Sequence, residues 1–263
     1  MSARSLFRSC MLLVALMGAA PTFAEEAKVV LDKAPVDLAN KPSLQRGAKY
    51  FMNYCVGCHS LQYMRYNGLA KDLGIVDSKG EVDTTLMEST LVPKGQKVTD
   101  YIVNSMPKED AAKWFGIAPP DLTLEARVRG ADWIYTYLRA FYLDPKKPTG
   151  VNNLVFPDVA MPDVLVNEHG IYTLAQANSE HKTEGYSKKH EENVTSMLML
   201  QQKGRLTPAE YDHMAGDITN FLVYAAEPVQ LKRQHMGVWV LVFLVVFFLF
   251  ALLLKREYWK DVH

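Results

Sequence analysis

The sequence has no excess of charge in either direction: 29 lysines and arginines stand against 29 aspartates and glutamates in 263 residues. Setting aside Arg4, Arg8 and the basic C-terminal tail leaves the remainder slightly acidic. A chain without a basic footprint is not expected to bind nucleic acid, and mild acidity favours basic protein partners. Cysteine is nearly missing too, with three in the whole chain, at positions 10, 55 and 58. There is no internal repeat, no long low-complexity tract and little strand signal. No nucleophile and base, phosphate-cradling loop or carboxylate pair stands in a catalytic setting, so an enzyme acting by itself is not expected.

What the chain does have begins at its ends. Residues 1–24 run from Arg4 and Arg8 through an apolar stretch, Met11 to Ala20, to small residues before Glu25. This is the pattern of a secretory signal peptide, and the apolar stretch is too short to span a bilayer. Cleavage after Ala24 removes Cys10 and leaves Cys55 and Cys58. Residues 236–254, MGVWVLVFLVVFFLFALLL, carry no charge and suffice for one transmembrane helix in a lipid bilayer. Lys232, Arg233 and His235 precede them, and Lys255, Arg256, Tyr258, Trp259 and Lys260 follow, an interfacial belt of bases and aromatics. Export places residues 25–230 outside the cytoplasm and the tail, 255–263, inside.

Within 25–230 the sequence predicts three main helices. Ser43 reads as the cap of a helix with apolar positions Leu44, Ala48, Phe51, Met52 and Cys55. Asp121 reads as a cap and Gly130 as a break before a helix through Trp133, Ile134, Tyr137, Leu138 and Phe141. Thr207, Pro208 and Glu210 form a cap, first-turn proline and capping-box acid for a helix that ends at Glu227-Pro228. VDSKGEVD reads as a turn, IYTLAQA as a short strand, PKKPTGVNNLVFPDVAMPD as an irregular loop and the polar run 178–196 as a solvated insertion.

The first helix ends on NYCVGCHSLQ, residues 53–62. A Cys-x-x-Cys-His run can be a disulfide, half a zinc site, a redox dithiol or a covalent haem attachment point. Zinc needs two more soft or imidazole ligands, and the mature chain has no third cysteine. A thioredoxin-like dithiol belongs beside a strand–helix–strand pattern that is missing here. Haem fits: Cys55 and Cys58 can bond the two vinyl groups on one porphyrin edge, and His59 directly behind them can reach the iron. The sixth ligand decides between electron transfer and chemistry at an open iron. Met106 and Met161 each precede a proline in an irregular segment and are the candidates. Met64, Met197, Met199 and Met214 read as core or helix-face residues.

Five segments, QRGAKYFMNYCVGCHSLQYMRYNGLA, GIAPPDLTLEARVRGADWIYTYLRAFY, PTGVNNLVFPDVAMP, ITNFLVYAAEPVQLKRQHMG and LKREYWKDVH, together resemble the cytochrome c1 family in the same order. The resemblance implies a mainly α fold: an enlarged cytochrome c-type haem domain with long irregular loops, plus one C-terminal transmembrane helix. It implies one covalently attached haem c per chain, in the single-pass haem subunit of respiratory complex III. In a bacterium this places the haem domain in the periplasm and the C-terminus in the cytoplasm. It selects Met161 as the sixth ligand, places Pro120 near the haem, and leaves Arg127 and Arg129 as alternatives for pairing a propionate. Implied partners are cytochrome b and the Rieske iron–sulfur subunit within a dimeric complex, with cytochrome c as electron acceptor. The polar run after Met161 departs from mitochondrial members. Two alternatives stand beside this reading: a haem donor to another membrane oxidase or dehydrogenase, and a haem enzyme or gas sensor with an open distal site.

Overall fold

A computed structural model of the chain describes residues 29–175 and 194–260. The expected signal peptide, most of the polar run 178–196 and the end of the tail lie outside the described residues. In chain order, α1 (Lys41–Tyr50) runs into a π-helical turn (Phe51–Cys55), followed by β1 (Leu61–Arg65), α2 (Tyr66–Leu73), α3 (Thr84–Thr90), β2 (Tyr101–Ile102) and α4 (Lys108–Phe115). Then come α5 (Glu125–Val128), α6 (Ala131–Leu138), β3 (Phe141–Leu143), β4 (Val151–Asn153), α7 (Val166–His169), β5 (Gly170–Leu174), β6 (Leu198–Lys203), α8 (Pro208–Ala226) and α9 (Gln230–Tyr258). The fold is mainly α, as expected.

The pair α1 and α8, from opposite ends of the globular part, makes the spine. Helix α8 starts with the predicted capping box: Thr207 Oγ1 accepts the Glu210 N–H at 3.3 Å, and Glu210 Oε2 accepts the Thr207 N–H at 2.8 Å. It buries Tyr211, Met214, Ala215, Ile218, Phe221 and Leu222, and Phe221 meets Phe51 with ring centroids 5.7 Å apart. One carboxylate is buried between the two helices, and it is fully engaged, as burial demands. Asp217 accepts from the Ser43 hydroxyl at 2.6 Å and from Arg46 Nε and Nη2 at 2.6 and 2.9 Å.

Local chemistry corrects several boundaries. Asn40, not Ser43, caps α1; its side chain accepts the Ser43 N–H at 3.1 Å, while the Ser43 hydroxyl points at Asp217 instead. Asp121 is not a helix cap, because its carboxylate clips two separate strands of chain together, as described below. Gly130, at φ 89°, breaks the chain as predicted, but α6 ends at Leu138 and Phe141 opens β3. The irregular loop holds a short strand, β4, paired antiparallel with β3. The predicted strand in IYTLAQA is β5, and its partner β6 places Met199 on an exposed strand rather than a helix face. Met64 and Met214 are core residues. VDSKGEVD is a turn closed by a Val76–Val82 bridge.

After Glu227, whose φ and ψ of −154° and 77° end α8, helix α9 runs for 29 residues with a mean hydropathy of 3.1 over its most apolar 18-residue window. It is long and apolar enough to cross a membrane, and none of its residues is buried. It exceeds the predicted span at both ends because the flanking basic residues continue the same helix.

Close approach of α1 and α8 depends on Gly47, where a Cβ would lie 2.6 Å from Phe221 Cβ and nearer still to the Asp217 carbonyl. Gly47→Ala gains helix propensity of up to ~1 kcal/mol, yet overpacking against backbone costs about 1–3 kcal/mol or more. Thermal unfolding of the full chain in detergent is expected to show a midpoint lowered by roughly 2–8 °C; an unchanged or raised midpoint means that the helices part without cost.

Candidate functional site

Helix α1 delivers the Cys-x-x-Cys-His run through its π turn, a feature often found at functional positions. The Cys55 carbonyl accepts two amides, from Cys58 at 3.0 Å and His59 at 2.8 Å, which folds the run into a tight turn. Both cysteines are free and partly buried, so the pair is not a disulfide. Burial, with the Cys58 thiol alongside, pushes the Cys55 thiol up to about 12. A buried thiol held protonated is a poor redox nucleophile. Among the described residues, no group of three or more histidines, cysteines, aspartates or glutamates is placed to hold a metal ion.

His59 is 9% exposed, and its Nδ1 lies 2.8 Å from the Pro120 carbonyl oxygen. A carbonyl only accepts, so Nδ1 carries the proton and Nε2 keeps a free lone pair, the arrangement of a metal-ligating histidine. Burial lowers the His59 pKa, the Pro120 carbonyl working in the opposite direction; the ring is held neutral, as a ligand must be.

The Pro120 carbonyl is fixed by its surroundings. Asp121 accepts the Gln62 N–H at 2.8 Å and the Thr123 N–H at 3.0 Å, and Leu122 N–H donates to the Ser60 carbonyl at 2.9 Å. On the other side, Asn104 donates its amide N–H to Ser60 Oγ at 3.0 Å and its side-chain amide to the Cys58 carbonyl. The segments 58–62, 104 and 120–123 are thereby stitched together behind the histidine.

Met161 sits on the loop between β4 and α7, and the Tyr137 hydroxyl donates to its sulfur at 3.3 Å. Tyr137 stacks on Trp133 with centroids 4.9 Å apart. The guanidinium of Arg129 caps this aromatic row, 4.4 Å from the Trp133 centroid and 5.3 Å from that of Phe156 on the Met161 loop, while its Nε donates to Glu125 at 3.0 Å. Arg127, two residues before it on α5, is exposed. Met106 lies two residues past Asn104, whose side chain bonds the Cys58 carbonyl, and Met161 comes from the loop between β4 and α7. The two groups, Cys55 with His59 and Pro120, and Met161 with Tyr137 and Arg129, pack on one core through Cys55, Val56, Leu122, Trp133, Tyr137 and Val164.

Sequence reasoning missed the hydroxyl of Tyr137, read only as an apolar helix position. A buried tyrosine hydroxyl needs a partner, which is the signal that could have flagged it. It also missed Glu168, a buried carboxylate that takes hydrogen bonds from Tyr54, next to Cys55, at 2.7 Å and from Arg205. This ties the cysteine turn to α7, downstream of Met161.

The donor types fit a covalently held haem: two free thiols three residues apart, a neutral imidazole with one free nitrogen, and a thioether on a loop packed on the same core. One further observation suits a polar group bound nearby. Thr123 Oγ1, three residues from the carbonyl that orients His59, is buried without a hydrogen-bond partner among the described residues.

The sequence matches the Cytochrome C1 family over residues 32–262. The chain belongs to the cytochrome c1 family. As such it is a haem subunit of the cytochrome bc1 complex, complex III, and an electron-transfer subunit rather than an enzyme by itself. It is 52% identical over 233 residues to cytochrome c1 of Allochromatium vinosum, spanning 89% of this chain and 90% of that protein. It is 40% identical over 253 residues to a Nitrosomonas europaea protein named ammonia monooxygenase gamma subunit, spanning 96% of this chain and 97% of that protein. Among solved structures, a chain from a hyperthermophilic respiratory complex III aligns over 99% of this chain and 98% of its own, at a TM-score of 0.41 and 16% identity.

The Glu168 link carries a pH dependence. Burial alone would push its carboxyl up, but hydrogen bonds from Arg205 and Tyr54, with the Arg205 charge, hold it below the usual glutamate range. The unfolded chain therefore takes up this proton first on acidification. The stability Glu168 contributes is complete above its ordinary value of ~4.3 and is lost as pH falls through the lower folded value. Denaturant unfolding across pH is expected to show Glu168→Gln less stable than wild type near neutrality, with the two curves converging below about pH 4; parallel curves would contradict the linkage.

Proposed function

We propose that the chain carries one covalent haem c and relays single electrons from the Rieske iron–sulfur subunit to a soluble or membrane-tethered cytochrome c. One observation supports this above the others: the Pro120 carbonyl holds the His59 Nδ1 proton, leaving Nε2 bare beside two free thiols on the same turn. Cys55 and Cys58 would supply the thioether bonds, and His59 Nε2 and Met161 Sδ would hold the iron. Arg129, on the aromatic row shared with the Met161 loop, would pair a propionate, with Arg127 two residues away as the alternative. When bound, the haem supplies a reversible one-electron iron couple. The protein's part would be to hold the iron with His59 and Met161, leaving no ready place for small molecules, and to exclude water around it.

Helix α9 anchors the domain, with residues 25–230 in the bacterial periplasm after removal of the leader and residues 255–263 in the cytoplasm. It sets the haem domain beside cytochrome b, within a dimeric complex, so that a local search replaces a diffusional one. A second reading, donor to another membrane oxidase, draws on the similarity to the protein named as a monooxygenase subunit. Purification from membranes separates the two: cytochrome b and a Rieske protein are the expected companions, and an oxidase or oxygenase in their place would favour the second.

Denaturation in acidic acetone followed by a pyridine haemochrome spectrum is expected to leave the pigment on wild type and to strip it from the variant with both Cys55 and Cys58 replaced by alanine. Pigment retained by that double variant would refute thioether attachment. Reduced wild type is expected to bind carbon monoxide slowly or not at all, and Met161→Leu rapidly; equal rates would remove Met161 from the sixth position.

A further inference from the structure

The loop bearing Met161 is anchored at both ends. Upstream, Asn153 is 1% exposed and donates its side-chain amide to the Tyr137 carbonyl at 2.9 Å, while its Oδ1 accepts the N–H groups of Val155 and Phe156 at 2.9 and 3.2 Å. Downstream, Asp163 accepts the Leu165 N–H at 3.2 Å and faces His169 Nε2 at 3.0 Å. Between these anchors one side chain reaches the methionine itself: Tyr137, whose hydroxyl donates to Sδ. The Tyr137 ring has little freedom to turn away, because it stacks on Trp133 and meets Phe141 edge-on, with centroids 5.2 Å apart.

The choice of acceptor is unusual within this chain. Tyr54, Tyr66, Tyr211 and Tyr224 each donate to an oxygen at 2.7 or 2.8 Å. Thioether sulfur is a weak acceptor, so folding alone gives little reason to aim a half-buried hydroxyl at it. A thioether has two lone pairs, however, and a donor on one leaves the other to face a metal.

We propose that Tyr137 is a positioning residue for the axial methionine, holding one lone pair of Met161 Sδ so that the other is presented to the haem iron. This rests on Met161 being the sixth ligand. The same hydrogen bond draws electron density from the sulfur and weakens its donation to iron. Ferric iron depends on that donation more than ferrous iron does, so the bond raises the reduction potential; hydrogen bonding to a ligand is an established lever on potential. Tyr137 thereby biases the site toward accepting an electron.

The test uses the full-length, haem-loaded chain in detergent. Tyr137→Phe keeps the ring and removes only the hydroxyl. It is expected to retain the long-wavelength absorption band that an iron–methionine bond gives ferric haem. Its midpoint potential should fall by the equivalent of about a tenfold change in the electron equilibrium, ~59 mV for a one-electron couple. Tyr224→Phe, whose hydroxyl serves Asp72, should leave the potential where it is. An unchanged potential in Tyr137→Phe, or an equal fall in Tyr224→Phe, overturns the proposal. Should Tyr137→Phe fail to load haem, the wild-type iron–sulfur stretching frequency decides: a shift on exchange into D2O supports the hydrogen bond, and none overturns it. Met161→Leu separates this failure from that of the underlying reading. If the band survives that substitution, Met161 is not the ligand and both fall; if the band is lost while Tyr137→Phe leaves the potential unmoved, only the role of Tyr137 falls.

Discussion

The hydrogen bond from His59 Nδ1 to the Pro120 carbonyl governs the chemistry of the whole site. A free imidazole turns about its χ angles, exchanges its proton between two nitrogens and charges near neutrality. Here one bond removes the first two freedoms, and burial suppresses the third. The carbonyl can do so only because it is itself immobile. Asp121 joins it to the start of β1, Leu122 joins it to Ser60, and Asn104 closes the far side. Much of the irregular chain between the helices reads as a frame for one nitrogen atom.

The frame has to stand on something stiffer, and α1 packed against α8 provides it. The buried Asp217 is stabilised by Arg46 and Ser43 on α1, so the pairing has a register as well as a hydrophobic face. A buried charge tolerates few geometries. Cys55 leaves α1 at the end of this pairing, and its position relative to α8 is inherited from it. The Met161 side is fastened to the same core through α6 and α7, with Glu168 reaching back to Tyr54. The two halves of the candidate haem site are thus held by contacts distant in sequence but joined through a single packed interior.

This division explains what could be read from the chain beforehand. Features whose partners lie within a turn or two were legible: the Thr207 and Glu210 capping box, the break at Glu227-Pro228, the Cys-x-x-Cys-His spacing and the apolar span. The cap at Asn40 was misread by three residues because Pro42 and Ser43 offered an equally good local pattern. Asp121 looked like a cap because an aspartate before a helical segment usually is one; its partner Gln62 is 59 residues away. Strand β6 carried no alternation strong enough to announce itself, and β4 was hidden in a segment rich in proline and glycine. The Pro120 carbonyl lies 61 residues from His59, and no side-chain type marks a main-chain acceptor. Tyr137 was visible as an aromatic on a helix, while the direction of its hydroxyl was not.

Only Glu227, Pro228 and Val229 separate α8 from α9, and Glu227 reaches forward to grip Arg233 on the next helix. So short a joint limits how far the globule can stand from the apolar helix. The six residues from Gln230 to His235 add about 9 Å of helix below the globule before the uncharged span begins. Wherever the apolar helix settles, the globule is kept within a few residues of it.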